Sequence, residues 1–101
     1  MKSRLPIIPD ELERFCRKHR IRRLSLFGSV LKGTAGPDSD IDLLVEFEPG
    51  SEPGLIGLSR MENELSELAG GRRIDLRTAE DLSRYFRDEV IRSAEVQYAR
   101  R

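Results

Sequence analysis

Residues 40–48 read Asp40-Ile41-Asp42-Leu43-Leu44-Val45-Glu46-Phe47-Glu48. Ile41, Leu43, Val45 and Phe47 alternate with Asp40, Asp42, Leu44 and Glu46. Side chains of a strand point alternately to its two faces, so this stretch reads as a strand with one apolar face and one face that carries acids.

Upstream, Ile21–Phe27 reads as a short strand in which Leu24 and Leu26 alternate, ended by Gly28-Ser29. A short helical turn is expected from Ser29, and residues 33–39 are turn-rich. Before them, Pro9-Asp10-Glu11 is a helix start, with proline in the first turn and acids near the positive end of the dipole. Leu12, Phe15, Cys16 and His19 follow on one helical face. Downstream of the central strand, 48–54 is a loop. Residues 55–69 form an amphipathic helix through Leu55, Leu58, Met61, Leu65 and Leu68, closed by Gly70-Gly71. Residues 72–77 form a third strand, and the chain from Ala79 is mostly helical, with Leu82, Tyr85, Phe86, Val90 and Ile91 near helical spacing. Residues 96–99 read either as a last helical turn or as an edge strand. The order implies one small α/β (α+β) domain over residues 1–101, with helices packed on one face of a mixed β-sheet.

The chain has 101 residues, 18 basic and 18 acidic, with 38% apolar and 36% charged side chains. A single domain with a thin core follows. Balanced charge and distinct apolar runs exclude charge-driven disorder. Zero net charge disfavours direct nucleic-acid binding. Neither a membrane span nor a signal-peptide core is visible, and the lone Cys16 forms no internal disulfide, so a cytoplasmic protein is expected. The neutrality is uneven. Residues 1–35 hold nine basic and three acidic side chains, a balance of +6. Residues 36–70 hold one and nine, a balance of −8. Residues 71–101 hold eight and six, a balance of +2.

Three features of the sequence carry chemistry. Gly28-Ser29 lies at a strand-to-helix turn, where backbone amides and a hydroxyl hold a phosphate, although the dipeptide alone equally suits a tight turn with a serine cap. Asp40 and Asp42 share one face of the strand, and a hard divalent cation relieves their repulsion; alone they also suit a solvent-facing acidic edge. Asp75 lies between Ile74 and Leu76, so it emerges beside Asp40 and Asp42 if the two strands are neighbours. Otherwise it is a surface partner of Arg72, Arg73 or Arg77. Three such carboxylates can hold two cations about 3.5–4 Å apart, an arrangement suited to phosphoryl transfer.

In combination, Gly28-Ser29 followed after ten residues by Asp40-Ile41-Asp42 resembles the signature of the DNA polymerase β-like nucleotidyltransferase superfamily. Arg73-Ile74-Asp75-Leu76 looks like its third-carboxylate strand. The Phe-Gly-Ser entry, the run from Gly33 to Asp42 and Tyr85-Phe86-Arg87-Asp88 look like the minimal nucleotidyltransferases, antitoxins paired with HEPN-domain ribonuclease toxins. The resemblance spans about residues 9–98. It implies that Gly28, Ser29, Lys32 and Ser39 bind the triphosphate of ATP. It implies that Asp40, Asp42 and Asp75 ligate a two-ion Mg²⁺ site, with Asp75 helping to deprotonate the acceptor. The implied reaction is transfer of AMP to a tyrosine hydroxyl of a toxin partner in a hetero-oligomer. Where the family often carries Arg-Ala-Arg-Gly, this chain has Val30-Leu31-Lys32-Gly33. That difference motivates an alternative: a non-enzymatic antitoxin that blocks its toxin by contact. The superfamily's small-molecule enzymes usually add an acceptor domain, for which 101 residues leave no room.

The remaining features have plain structural readings. His19 and Cys16 face the core side of the first helix, and the basic run from Arg17 to Arg23 is a solvated helix end and loop. The leucine stripe over 55–68 is core, with any exposed remainder able to dock a partner helix.

Overall fold

The alternating segment takes the centre of a four-stranded sheet. In the computed structural model, which describes residues 5–28 and 39–100, β1 (Ile21–Phe27) runs antiparallel to β2 (Ile41–Phe47). β2 runs parallel to β3 (Ile74–Arg77), and β1 is flanked on its other side by antiparallel β4 (Glu95–Ala99). The sheet order is β3-β2-β1-β4, a mixed sheet. Of the two readings of the final residues, the edge strand is correct.

The helices follow the signals in the chain. α1 (Pro9–Lys18) starts at proline, carries Asp10 and Glu11 in its first turn and ends on Arg17 and Lys18, complementing its dipole. α2 (Leu55–Leu68) closes at Gly70 and Gly71, whose φ of 73° and 92° suit residues without a Cβ. α1 packs on β1 and β4, and α2 packs on β3. Their apolar faces meet Leu24 and Leu26, Ile41, Leu43 and Val45, and Ile74 and Leu76 in one core. The helices therefore lie on the expected face of the sheet. Asp42, Leu44, Asp75 and Arg77 alternate with those core residues and lie on the opposite face.

The mostly helical reading after Ala79 holds: a 3₁₀ turn (Ala79–Asp81) is followed by a separate helix α3 (Arg84–Ser93), with Leu82 and Ser83 in non-helical backbone between them. Ser83 caps α3 by accepting from the Tyr85 amide at 3.4 Å. The apolar residues of α3 lie outside the core: Tyr85 is 81% exposed, and Phe86 and Ile91 are exposed too. Arg87 ties α3 to the preceding 3₁₀ turn, donating to the carbonyls of Ala79 at 2.7 Å and Leu82 at 3.2 Å. The leucine stripe of α2 is core at Met61 and Leu65 but not at its start, where Leu55 is 87% exposed. The helical turn expected from Ser29 lies outside the described residues. Among the described residues, no helix is long and apolar enough to cross a membrane.

The plain readings of α1 hold. Cys16 is fully buried. His19 lies with its ring 4.6 Å from that of Phe15, and its Nε2 meets Glu64 of α2 at 3.2 Å. Lys18 donates to the same carboxylate at 2.7 Å, so a polar clasp joins α1 to α2.

Candidate active site

The parallel β2–β3 ladder sets Asp42 directly opposite Asp75, with Ile41 opposite Ile74 and Leu43 opposite Leu76. The core residues fix this register, because a one-residue slip would turn the apolar set outward. On the other side of β2, Asp42 faces Phe27, the residue before Gly28. Gly28 has φ +81°, and a Cβ there would collide with the Asp42 carboxylate. The glycine therefore lets the end of β1 close over Asp42.

Asp40 stands just before β2 and is exposed. Its nearest cation is Arg73, 3.7 Å away. Asp75 accepts from both Nε and Nη2 of Arg77, at 3.2 and 3.1 Å, on the single oxygen Oδ2. Arg72 reaches neither acid; its Nη2 donates to the Ser39 carbonyl at 2.9 Å. The Ile41 amide donates to the Arg73 carbonyl at 2.9 Å. Three neighbouring arginines thus hold three points of one acidic edge: Ser39, Asp40 and Asp75. The sequence named all three as partners for Asp75, and the strand geometry assigns that role to Arg77, which shares its face.

The electrostatics follow. Burial pushes the Asp42 carboxyl above its ordinary pKa, Asp75 pushes it further, and Asp40 adds a smaller push against the opposing pull of Arg77. The hydrogen bonds and charge of Asp75 raise the Arg77 guanidinium. Among the described residues, no three His, Cys, Asp or Glu side chains already stand as a metal-binding cluster. The expected triad is thus brought together at Asp42 and Asp75, while Asp40 and Asp75 are engaged with arginine. Hard carboxylate donors in mutual repulsion are nonetheless the chemistry a divalent cation takes, and the residues fit one.

Of the residues expected to hold nucleotide, Gly28 and Ser39 border this edge, and Ser29 and Lys32 lie outside the described residues. Sequence reasoning missed one further contributor. Glu62 of α2 accepts the Leu76 amide at 2.8 Å through Oε2, satisfying a donor on the outer edge of β3 between Asp75 and Arg77. Within α2 it reads as an ordinary polar-face acid, and only the neighbouring strand edge distinguishes it.

Comparison with known proteins agrees with this architecture. The model of the nucleotidyltransferase domain family matches residues 10–98. The chain is 35% identical over 77 residues to the putative protein adenylyltransferase MJ0435 of Methanocaldococcus jannaschii, covering 76% of this chain and 80% of that one. A solved putative minimal nucleotidyltransferase superimposes with a TM-score of 0.69 at 36% identity, over 85% of each chain. A toxin–antitoxin crystal structure with AMP-PNP shares the fold at a TM-score of 0.73 and 20% identity, over 94% of this chain and 76% of that one. A sheet that pairs Asp42 with Asp75, a family match over nearly the whole chain and a relative alike over most of its length lead to one conclusion: this chain belongs to the nucleotidyltransferase domain family, as a minimal nucleotidyltransferase.

Proposed function

We propose that this nucleotidyltransferase moves AMP from ATP to a tyrosine hydroxyl of a HEPN-domain toxin and thereby acts as its antitoxin, with Mg²⁺ held by Asp40, Asp42 and Asp75. The observation that carries the reading is the Asp42–Asp75 register pair beside Gly28. Mg²⁺ would supply charge neutralisation and polarisation of the phosphate oxygens. The protein's own part is positioning and electrostatics, as is general for phosphoryl transfer. The backbone at Gly28 and Ser29, with Lys32 and Ser39, holds the triphosphate. Asp75 accepts the proton of the acceptor hydroxyl as its oxygen bonds to the α-phosphorus and pyrophosphate leaves.

Two comparisons support the choice of substrate and partner. The M. jannaschii relative is named as a protein adenylyltransferase, and the AMP-PNP structure that shares the fold is a toxin–antitoxin pair. A protein acceptor also suits a surface that leaves Leu55, Ile56, Tyr85 and Phe86 exposed.

The test uses labelled ATP, Mg²⁺ and a candidate HEPN-domain toxin. Label on a toxin tyrosine, lost with Asp42→Asn, supports the reading. An unlabelled toxin in a formed complex overturns it. Neutralisation that survives the double change Asp40→Asn and Asp42→Asn points instead to an antitoxin acting by contact.

A further inference from the structure

Arg77 is the cation that the metal reading has to displace. It follows Asp75 by two residues on β3, so both side chains leave the same face of the strand. Its Nε and Nη2 converge on one oxygen of Asp75 and leave the other oxygen outside the pair. Its charge also acts on Asp42, the register partner of Asp75. The β3 backbone around it is held along both edges, by pairing with β2 and by the Glu62 acceptor at Leu76. The backbone therefore stays in place while the half-exposed guanidinium remains free to rotate into solvent.

We propose that Arg77 is the resident counter-cation of the Asp42–Asp75 pair and competes with the divalent cation for Asp75, so that it sets the metal affinity of the site. The inference rests on the metal-site reading above. The guanidinium holds Oδ2 of Asp75, and a divalent ion brought to the same carboxylate meets a like charge there, so the two cations oppose each other at Asp75. Metal binding therefore carries the cost of breaking the Arg77–Asp75 pair. That cost is small because the pair is half-exposed. Once released, the side chain is a cation beside the position where a polyphosphate would meet the metal. If Arg77 instead oriented Asp75 for the metal, its removal would weaken binding, the opposite sign.

The experiment is Mn²⁺ binding to the full chain, followed by the electron paramagnetic resonance of free Mn²⁺ and by calorimetry. Arg77→Leu and Arg77→Gln should tighten binding about two- to fivefold, the range a half-exposed ion pair supports. Arg77→Lys keeps the charge and should stay near the parent protein. Adding Asp42→Asn to Arg77→Leu should remove the gain. Affinity in Arg77→Leu and Arg77→Gln equal to or weaker than the parent overturns the competition, while the metal site stands if Asp42→Asn abolishes the parent's binding. A gain that survives Asp42→Asn, or no Mn²⁺ uptake by any of these proteins, overturns the metal-site reading and the competition with it.

Discussion

Asp42 and Asp75 are direct partners in the parallel β2–β3 ladder, so the two carboxylates stand side by side on the face of the sheet away from the core. Neighbouring like charges at a partly buried position are a cost that a stability-driven fold would not keep. The pairing is the feature on which the proposed metal site rests.

The first prediction concerns Asp42→Asn. The folded-state pKa of Asp42 is raised, so folding favours its neutral form. A raised carboxyl destabilises the fold once ionised, and that penalty disappears as pH falls through its folded pKa. The asparagine variant should melt slightly higher than the parent at pH 7, by no more than ~1 kcal/mol of stability. The difference should shrink toward zero as pH falls to the ordinary carboxylate range. Metal-free thermal melts from pH 7 to pH 4 read this directly, while AMP transfer should be lost.

Glu64 should show the opposite slope. Burial alone would raise it, but hydrogen bonds from Lys18 and His19 outweigh burial and lower its pKa. A lowered carboxyl stabilises the fold above its unfolded pKa, and that contribution is lost as pH falls through the folded value. Glu64→Gln should melt below the parent at pH 7, with the gap closing in acid. The site's chemistry should be unaffected, since Glu64 joins α1 to α2 on the core side.

Gly28→Ala tests the close approach of β1 to Asp42. The left-handed backbone costs an alanine roughly 1–2 kcal/mol, and the added Cβ meets the Asp42 carboxylate. We expect a lower denaturation midpoint together with loss of AMP transfer. A variant as stable and active as the parent would show that Gly28 does not shape the site.

Glu62→Ala removes the acceptor of the Leu76 amide at the edge of β3. Leaving that donor without its partner should cost about 1–3 kcal/mol. Hydrogen exchange at the Leu76 amide should accelerate more than at the β1–β2 ladder. Glu62→Gln retains an acceptor oxygen and should restore most of the protection, which separates the hydrogen bond from the charge.

Cys16 should resist thiol reagents in the native protein. Burial pushes its thiol up to about 12, so little thiolate exists at pH 8. Alkylation by iodoacetamide should be slow in buffer and fast in denaturant. Rapid native labelling would contradict the packing of α1 on the sheet.

Much of this was legible in the chain. The alternation at Ile41, Leu43 and Val45 located the central strand and its two faces, because a strand's period of two translates hydrophobicity directly into orientation. Proline and acids marked the start of α1, and paired glycines the end of α2. What misled was the start of the leucine stripe at Leu55, which is exposed, since amphipathic periodicity states which residues share a face and not what that face meets.

The sequence by itself determined which residues share a face and roughly where elements begin and end; it put Asp40 on the strand with Asp42, whereas the strand starts at Ile41 and Asp40 stands just ahead of it. The tertiary structure decided which strand lies beside which. It thereby decided that Asp75 is the neighbour of Asp42, that Arg77 rather than Arg72 or Arg73 neutralises Asp75, and that Glu62 supports the strand carrying both. These are contacts between residues more than ten positions apart, or choices among neighbouring arginines. Local spacing does not set them; they follow from the order of strands in the sheet and the register that buries the core.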